Sequence, residues 1–440
     1  ASLHVRISLR NPNMQRRRYE DGTTMVRRRY LSLRSRSILM CESALKIKKS
    51  PRRYSNTAIF FRHMRILALA ILAIPLALVA CQPDSLLPDS LSALRITHDT
   101  VWSTGSTVSI SGKLRVDGAK LSIEPGVHLK FAPGASLVVG EGGAANIVIR
   151  GSMANPVVIE PQDALGSFTG IRIIQTGGQS SIANCEIRRA GNAQTAGLWI
   201  SNLNFPIEGL DIIDSQGDGI RIDYADASRP YPMKNCRIQA HGHHAIAGNA
   251  SLLASLNRTM RFTLDQGYGV RIESGTILLP RGKLDFYPLG APYIVTSNIC
   301  LDAPELVMHD GVEFRFEPQG GLEFACEETT KLTATGVTFT STATSKAQGQ
   351  WLGLLCNSRL SPSSVFDHCT IEAGGRRTPN AAGITIDGVK NLTVTNCNIN
   401  RNKGYGILLL GKASIKNQGA SSNSFEGNEL GDIGQKRGKR

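Results

Sequence analysis

Asp211, Asp214, Asp218 and Asp223 fall within thirteen residues, with Arg221 among them. Carboxylates packed this closely suggest two kinds of chemistry. Glycoside hydrolysis needs two carboxyl groups roughly 5–10 Å apart. A calcium ion needs a cage of oxygens. On either reading Asp211, Asp214 and Asp218 are the candidate catalytic or ion-holding groups, and Arg221 is placed to hold an anionic substrate. The competing reading is structural, because Asp beside Gly is also what tight corners contain.

Basic residues form a second set. Arg188-Arg189, His241-Gly-His243-His244, Arg376-Arg377 and Arg401 with Lys403 each follow a short segment ending in Ile. Aligned along one edge, they would make a discontinuous basic ridge suited to carboxylate or sulfate groups on a polymer. Left as solvated turn residues, they would bind nothing. The histidines lack an obvious carboxylate partner, so no metal site is assigned to them.

The chain has nine cysteines. Cys185, Cys236, Cys369 and Cys397 each stand two residues before an Ile, on the same face of a strand, and read as small buried core residues. If the protein is secreted, Cys300–Cys326 is the best disulfide candidate. There is no Cys-x-x-Cys pair, so a structural zinc site is not expected and no metal ligand is assigned.

These groups must be positioned by β-structure. Short runs such as Thr107–Ile110, His128–Phe131, Ser136–Val139, Asn146–Ile149, Val157–Ile159 and Ile171–Ile174 are separated by Gly, Asn and Asp. In "LSIEPGVHLKFAPGASLVV", Leu121 and Ile123 alternate with polar residues, as do Val127, Leu129 and Phe131. Only Ser251–Met260 offers a short helix. Gly is abundant at 44 residues and aromatics are 6%, which disfavours a helical bundle.

Repeats fix the architecture. Asn-Cys-x-Ile or a near copy occurs at Asn184, Asn235, His368 and Asn396. Gly-x-Gly-[Ile/Val] begins at Gly217, Gly267 and Gly404. Cys369 and Cys397 are 28 residues apart, and Cys185 and Cys236 are 51 apart, about two such steps. A longer duplication pairs the segment from Leu121 with that from Leu306, Gly166 with Gly349, Cys185 with Cys369, and Gly219 with Gly406, at offsets of 183 to 187. The duplication sets Asn398, Arg401 and Tyr405 opposite Asp211, Asp214 and Asp218, so the acidic cluster is not repeated. Coils of roughly 20–30 residues that cannot bury their inward faces alone must stack. An Asn before each inward Cys suits a turn, bonding backbone groups or an Asn one coil away. A pair of β-sandwiches fits the recurrence less well.

These features resemble right-handed parallel β-helix proteins, the group that includes pectate-lyase-like enzymes and many bacterial surface lipoproteins. The resemblance covers about residues 96–425. It implies an all-β solenoid of two related halves, 96–250 and 296–425, joined by coils 251–295 and followed by a basic tail, 426–440. It fixes no activity. The pectin-hydrolase Asn-Thr-Asp and Asp-Asp motifs are absent, and so is the Asp-Pro-His of alginate epimerases. If the protein were a lyase, the resemblance would add calcium and an Arg or Lys base, with Arg188, Arg189 or Arg221 holding substrate carboxylates.

Residues 1–80 carry 17 Lys+Arg and 3 Asp+Glu, nearly all of the formal charge of +15. Residues 81–435 carry 29 against 32, so the body is slightly acidic and no nucleic-acid partner is expected. Residues 1–63 read as a basic extension: translated upstream sequence ahead of a start at Met64, a disordered arm, or an Arg/Ser-rich transit peptide. Met64-Arg65 then opens an uncharged run, Ile66 to Ala80, of secretory-signal length and too short to span a bilayer. It ends in Leu78-Val79-Ala80-Cys81, which resembles the lipobox of bacterial lipoproteins. That resemblance implies signal residues 64–80, a lipid on Cys81 and a tether over 81–95. Gln82 is consistent with outer-membrane sorting. The expected protein is a lipid-anchored, non-catalytic envelope β-helix that presents a face to carbohydrate. The alternatives are a lyase or glycosidase acting on an acidic glycan, and a surface adhesin.

Overall fold

The computed structural model describes residues 95–240, 242–265, 267–416 and 422–437. Their strands pair parallel throughout, each with the strand one coil away, in sheets of 14, 11, 7 and 5 strands. The 14-stranded sheet runs from Arg95–Ile96 to Ser424–Glu426 and takes one strand from each coil. The 11-stranded sheet covers the other faces of the early coils, and the 7- and 5-stranded sheets those of the later ones. This is a parallel β-solenoid, as the coil-length recurrence predicts.

Alternation drives the winding. Along the 14-stranded sheet one inward position is filled in turn by Leu198, Ile220, Ile246, Val270, Tyr293, Phe314 and Phe339. All are buried. Each such side chain contributes roughly 1.5–3 kcal/mol by leaving water, and none could do so unless the next coil covered it. The interior is narrow and aliphatic early on and becomes aromatic later. Phe314 stacks on Phe339 at 5.5 Å, and Phe316 on Trp351 at 4.0 Å.

Corners use the residues expected of them. Asn184, Asn235, His368 and Asn396 have φ of 46°, 52°, 53° and 52°. The residue before each inward Cys is thus left-handed, a conformation that Asn adopts at low cost. Cys185, Cys236, Cys369 and Cys397 are buried free thiols. Leu210 takes the intermediate turn between Cys185 and Cys236. Among the described residues, the Asn before each Cys bonds a carbonyl or carboxylate one coil back and no Asn: Asn184 donates to Gly151 O, Asn235 to Glu208 and Asn396 to Asp367. An Asn–Asn bond occurs elsewhere, from Asn402 Nδ2 to Asn428 Oδ1 at 3.0 Å. The predicted helix is a 3-10 segment, Ala250–Ser255, with Asn249 accepting from Ser251 N.

Two expectations change. The basic tail is partly strand: Gly431–Lys436 pairs parallel with Tyr405–Leu410. The duplicated halves are also out of phase around the coil. Strands Ser136–Val139, Gly170–Ile173, Ala196–Ile200 and Asp218–Ile222 belong to the 14-stranded sheet. Their sequence equivalents Gly321–Phe324, Leu354–Cys356, Ala382–Asp387 and Tyr405–Leu410 belong to the 7-stranded sheet. Equivalent residues therefore lie one face apart.

Candidate functional site

The aspartates separate at a corner. Asp211 lies on strand Ile207–Ser215 of the 11-stranded sheet, whereas Asp218 and Arg221 lie on Asp218–Ile222 of the 14-stranded sheet. Asp214, with φ of 53°, makes the bend between them. Closeness in sequence thus spans two sheets and the bend between them. Among the described residues, the one group of three metal-ligating side chains that comes together lies elsewhere. Asp211, Asp214 and Asp218 therefore form no close three-ligand group for an ion. Asp211 lines a groove of about 840 Å³ with Glu186, Glu208, Asn235 and Arg237. There it accepts from Arg237 Nε at 3.0 Å.

The basic ridge is divided as well. Arg188 and Arg189 lie where the chain enters the 14-stranded sheet; Arg376, Arg377 and Arg401 lie where it leaves. The phase shift between the halves causes this split. Most of these residues already have partners. Arg188 pairs with Glu186 at 2.7 Å and with Glu160 at 3.5 Å. Arg189 donates to the carbonyls of Gly166 and Leu165, both at 2.9 Å. Arg377 grips Glu323 at 2.8 Å and Asn298 at 2.9 Å, and Arg401 pairs with Glu372. Arg376 is exposed, and His243 is half-buried beside Tyr268. His241 and Cys81 lie outside the described residues.

Sequence reasoning missed the outer face of the 14-stranded sheet. Arg172, Trp199, Arg221, Ala247 and Arg271 occupy the same outward position on successive coils. Arg115 and Arg315 continue the row on either side. Neighbouring strands are about 4.8 Å apart, and a cation recurs on every second coil. The guanidinium carbons of Arg172 and Arg221 lie 4.5 and 5.5 Å from the Trp199 ring centroid, within cation–π range. The Trp199 indole N–H is fixed by Asp223 Oδ2 at 2.7 Å. Among the described residues Arg172 has no carboxylate partner; Arg271 pairs with Glu317 at 3.7 Å while its Nε is buried without an acceptor, and Arg315 pairs with Glu313 at 2.8 Å. The sequence signal was present. Gly-[Ile/Leu/Val]-[Arg/Trp]-Ile recurs at Gly170, Gly197, Gly219 and Gly269, and its third residue must face outward between two buried aliphatics.

The glycine of that motif forms a buried lane of backbone beside the row. A Cβ on Gly219 would meet Ala245 O at 2.7 Å, and one on Gly269 would meet Pro292 O at 2.1 Å. The lane is therefore close-packed, with no space for a side chain between the coils. Beyond it, Asp218, His244 and Tyr268 stand on successive coils, with His244 N donating to Asp218 Oδ1 at 3.2 Å. Burial raises the Asp218 carboxyl above its ordinary range. Burial, with Arg271 and His243 nearby, pushes His244 down to about 4. Its Nδ1 accepts from Gly269 N at 3.3 Å, which puts the neutral ring's proton on Nε2. A depression of about 580 Å³ follows, lined by Tyr268, Pro292, Arg315 and Thr342.

Residues 311–434 match the family model described as "Right handed beta helix region". No curated protein and no solved structure matches the chain.

Proposed function

From a parallel β-helix whose later coils match a right-handed β-helix family, we propose a lipid-anchored protein of the bacterial cell envelope. It binds an anionic polysaccharide along the outer face of the 14-stranded sheet. The observation that carries this reading is the Arg172–Trp199–Arg221 stack on that outer face. A flat aromatic ring suits a sugar face, and guanidinium groups suit carboxylate or sulfate substituents. A polymer laid along the coil axis meets further cations at Arg271 and Arg315. The anchor rests on the Met64–Cys81 segment, and Cys81→Ser should release the protein from membranes.

Binding is tested by titrating the purified protein with polyuronate, a sulfated glycan and a neutral glucan. The acidic polymers should bind and the glucan should not, and Trp199→Ala should weaken binding at least tenfold. Equal binding of all three, or an unaffected Trp199→Ala variant, would reject the site.

A second reading is turnover of the same acidic glycan. It draws on Asp218 and His244, which bracket the lane with displaced pKa values in opposite directions. Unsaturated or reducing-end products that vanish in Asp218→Asn would favour it over binding alone.

A further inference from the structure

Asp302 is fully buried, and its Oδ1 has no hydrogen-bond partner. Its Oδ2 accepts from Glu327 N at 3.1 Å and lies 3.4 Å from Cys300 Sγ. Cys300 is disulfide-bonded to Cys326, which closes a 26-residue step of the solenoid. One ligand atom from each of Cys300, Asp302 and Cys326 lies within 4.8 Å of the others. Glu323 stands directly opposite Cys300 in the 7-stranded sheet, with Oε2 3.8 Å from Cys326 Sγ.

A disulfide offers a buried carboxylate no proton and no charge, so in the oxidised protein Asp302 is desolvated with little in return. Reduction changes this. The two thiols stay beside the Asp302 carboxylate, and a cation that displaces their protons takes up the orphan oxygen as well. Two sulfurs with one or two oxygens, partly sheltered, suit a borderline divalent ion in four-coordination.

We propose that the reduced Cys300–Cys326 pair, with Asp302, forms a binding site for a divalent cation of the zinc class, completed by Glu323. A dithiol reductant delivers two electrons and two protons to the S–S bond. Two thiols form, and the reductant leaves as its own disulfide. Metal binding then displaces the two thiol protons to solvent. The site is thus open to metal only after reduction, and the disulfide and the ion exclude one another.

The test uses the whole protein, reduced with a dithiol that is then removed under anaerobic conditions. Cobalt(II) should bind at one equivalent with a near-ultraviolet thiolate charge-transfer band, and zinc should bleach that band. Zinc should also slow alkylation of Cys300 and Cys326 at least tenfold, read by peptide mapping, while oxidised protein binds neither ion there. Asp302→Asn should weaken zinc binding at least tenfold and leave the oxidised protein folded. Cobalt binding without the thiolate band would overturn the proposal, as would alkylation of the pair unchanged by zinc. The alkylation result in the unaltered protein decides the matter even if the variant fails to fold.

Discussion

Arg221 reaches across a whole coil to hold Glu273 with both ends of its guanidinium, Nη1 to Oε1 at 3.0 Å and Nη2 to Oε2 at 2.7 Å. The residue passed over is Ala247, which is small enough to let the side chain lie along the sheet. Hydrogen bonding from Arg221 holds the Glu273 carboxyl below its usual range. The two side chains are 27% and 31% exposed, so solvent screens the pair only in part. Glu273→Gln should cost about 1 kcal/mol in urea melts. It should also leave Arg221 with Asp223 as its remaining acidic partner, at 3.2 Å, and tighten polyuronate binding. Weaker binding in this variant would mean that Arg221 acts only as a strut.

Gly219 is a packing requirement of the lane. Any Cβ there would stand 2.6 Å from Ile238 Cγ2 and 2.7 Å from a backbone carbonyl. Gly219→Ala should destabilise the protein by roughly 1–3 kcal/mol through forced backbone movement. An unchanged denaturation midpoint would show that the coils can slide apart.

The corner at Asn235 separates conformation from contact. Its φ is 52°, and its Nδ2 reaches Glu208 at only 3.3 Å on the exposed surface. Asn235→Gly should be nearly neutral. Asn235→Val should cost about 1–2 kcal/mol, because a branched side chain resists the left-handed region. Similar losses in both variants would shift the explanation to the lost side-chain contact.

Two opposed pH dependences meet beside the lane. The Asp218 carboxyl is raised on folding, so the stability it contributes is fully present below its unfolded value near 3.8 and is lost as pH rises through the folded value. Asp218→Asn should therefore melt higher than the parent at pH 7 and converge with it in strong acid. His244 is lowered from 6.5 to about 4, so protonation favours the unfolded chain. Stability should fall as pH drops from about 6.5 to about 4, and His244→Gln should flatten that slope. Melting temperatures measured from pH 3 to 8 for both variants check the signs.

The solenoid was legible because its signals are local. The alternation of Leu121, Ile123, Val127, Leu129 and Phe131 places strands, and the Asn before each Cys places corners. All five apolar residues are buried as expected. The Cys300–Cys326 pairing was also legible, since one coil separates the two residues. The site was not legible, because it is made across coils. Asp211 and Asp218 are seven residues apart, yet the bend at Asp214 sends them to different sheets. Trp199 and Arg221 are 22 residues apart and lie side by side. Judging proximity along the chain favoured the first pair and overlooked the second. Asp302 escaped notice for a related reason: nothing in its neighbours tells that its carboxylate is buried beside a disulfide.

The offset between the halves also bears on valency. A duplication in phase would have printed every feature twice along one side of the rod, giving a partner two equal handholds. Here each side shows the signature of one half followed by that of the other. The Arg and Trp row ends where the second copy's equivalent strands turn to another side. A long polymer bound as proposed along the 14-stranded sheet would therefore meet a surface with a beginning, an end and a direction, and the doubled gene would read to it as a single, polar track.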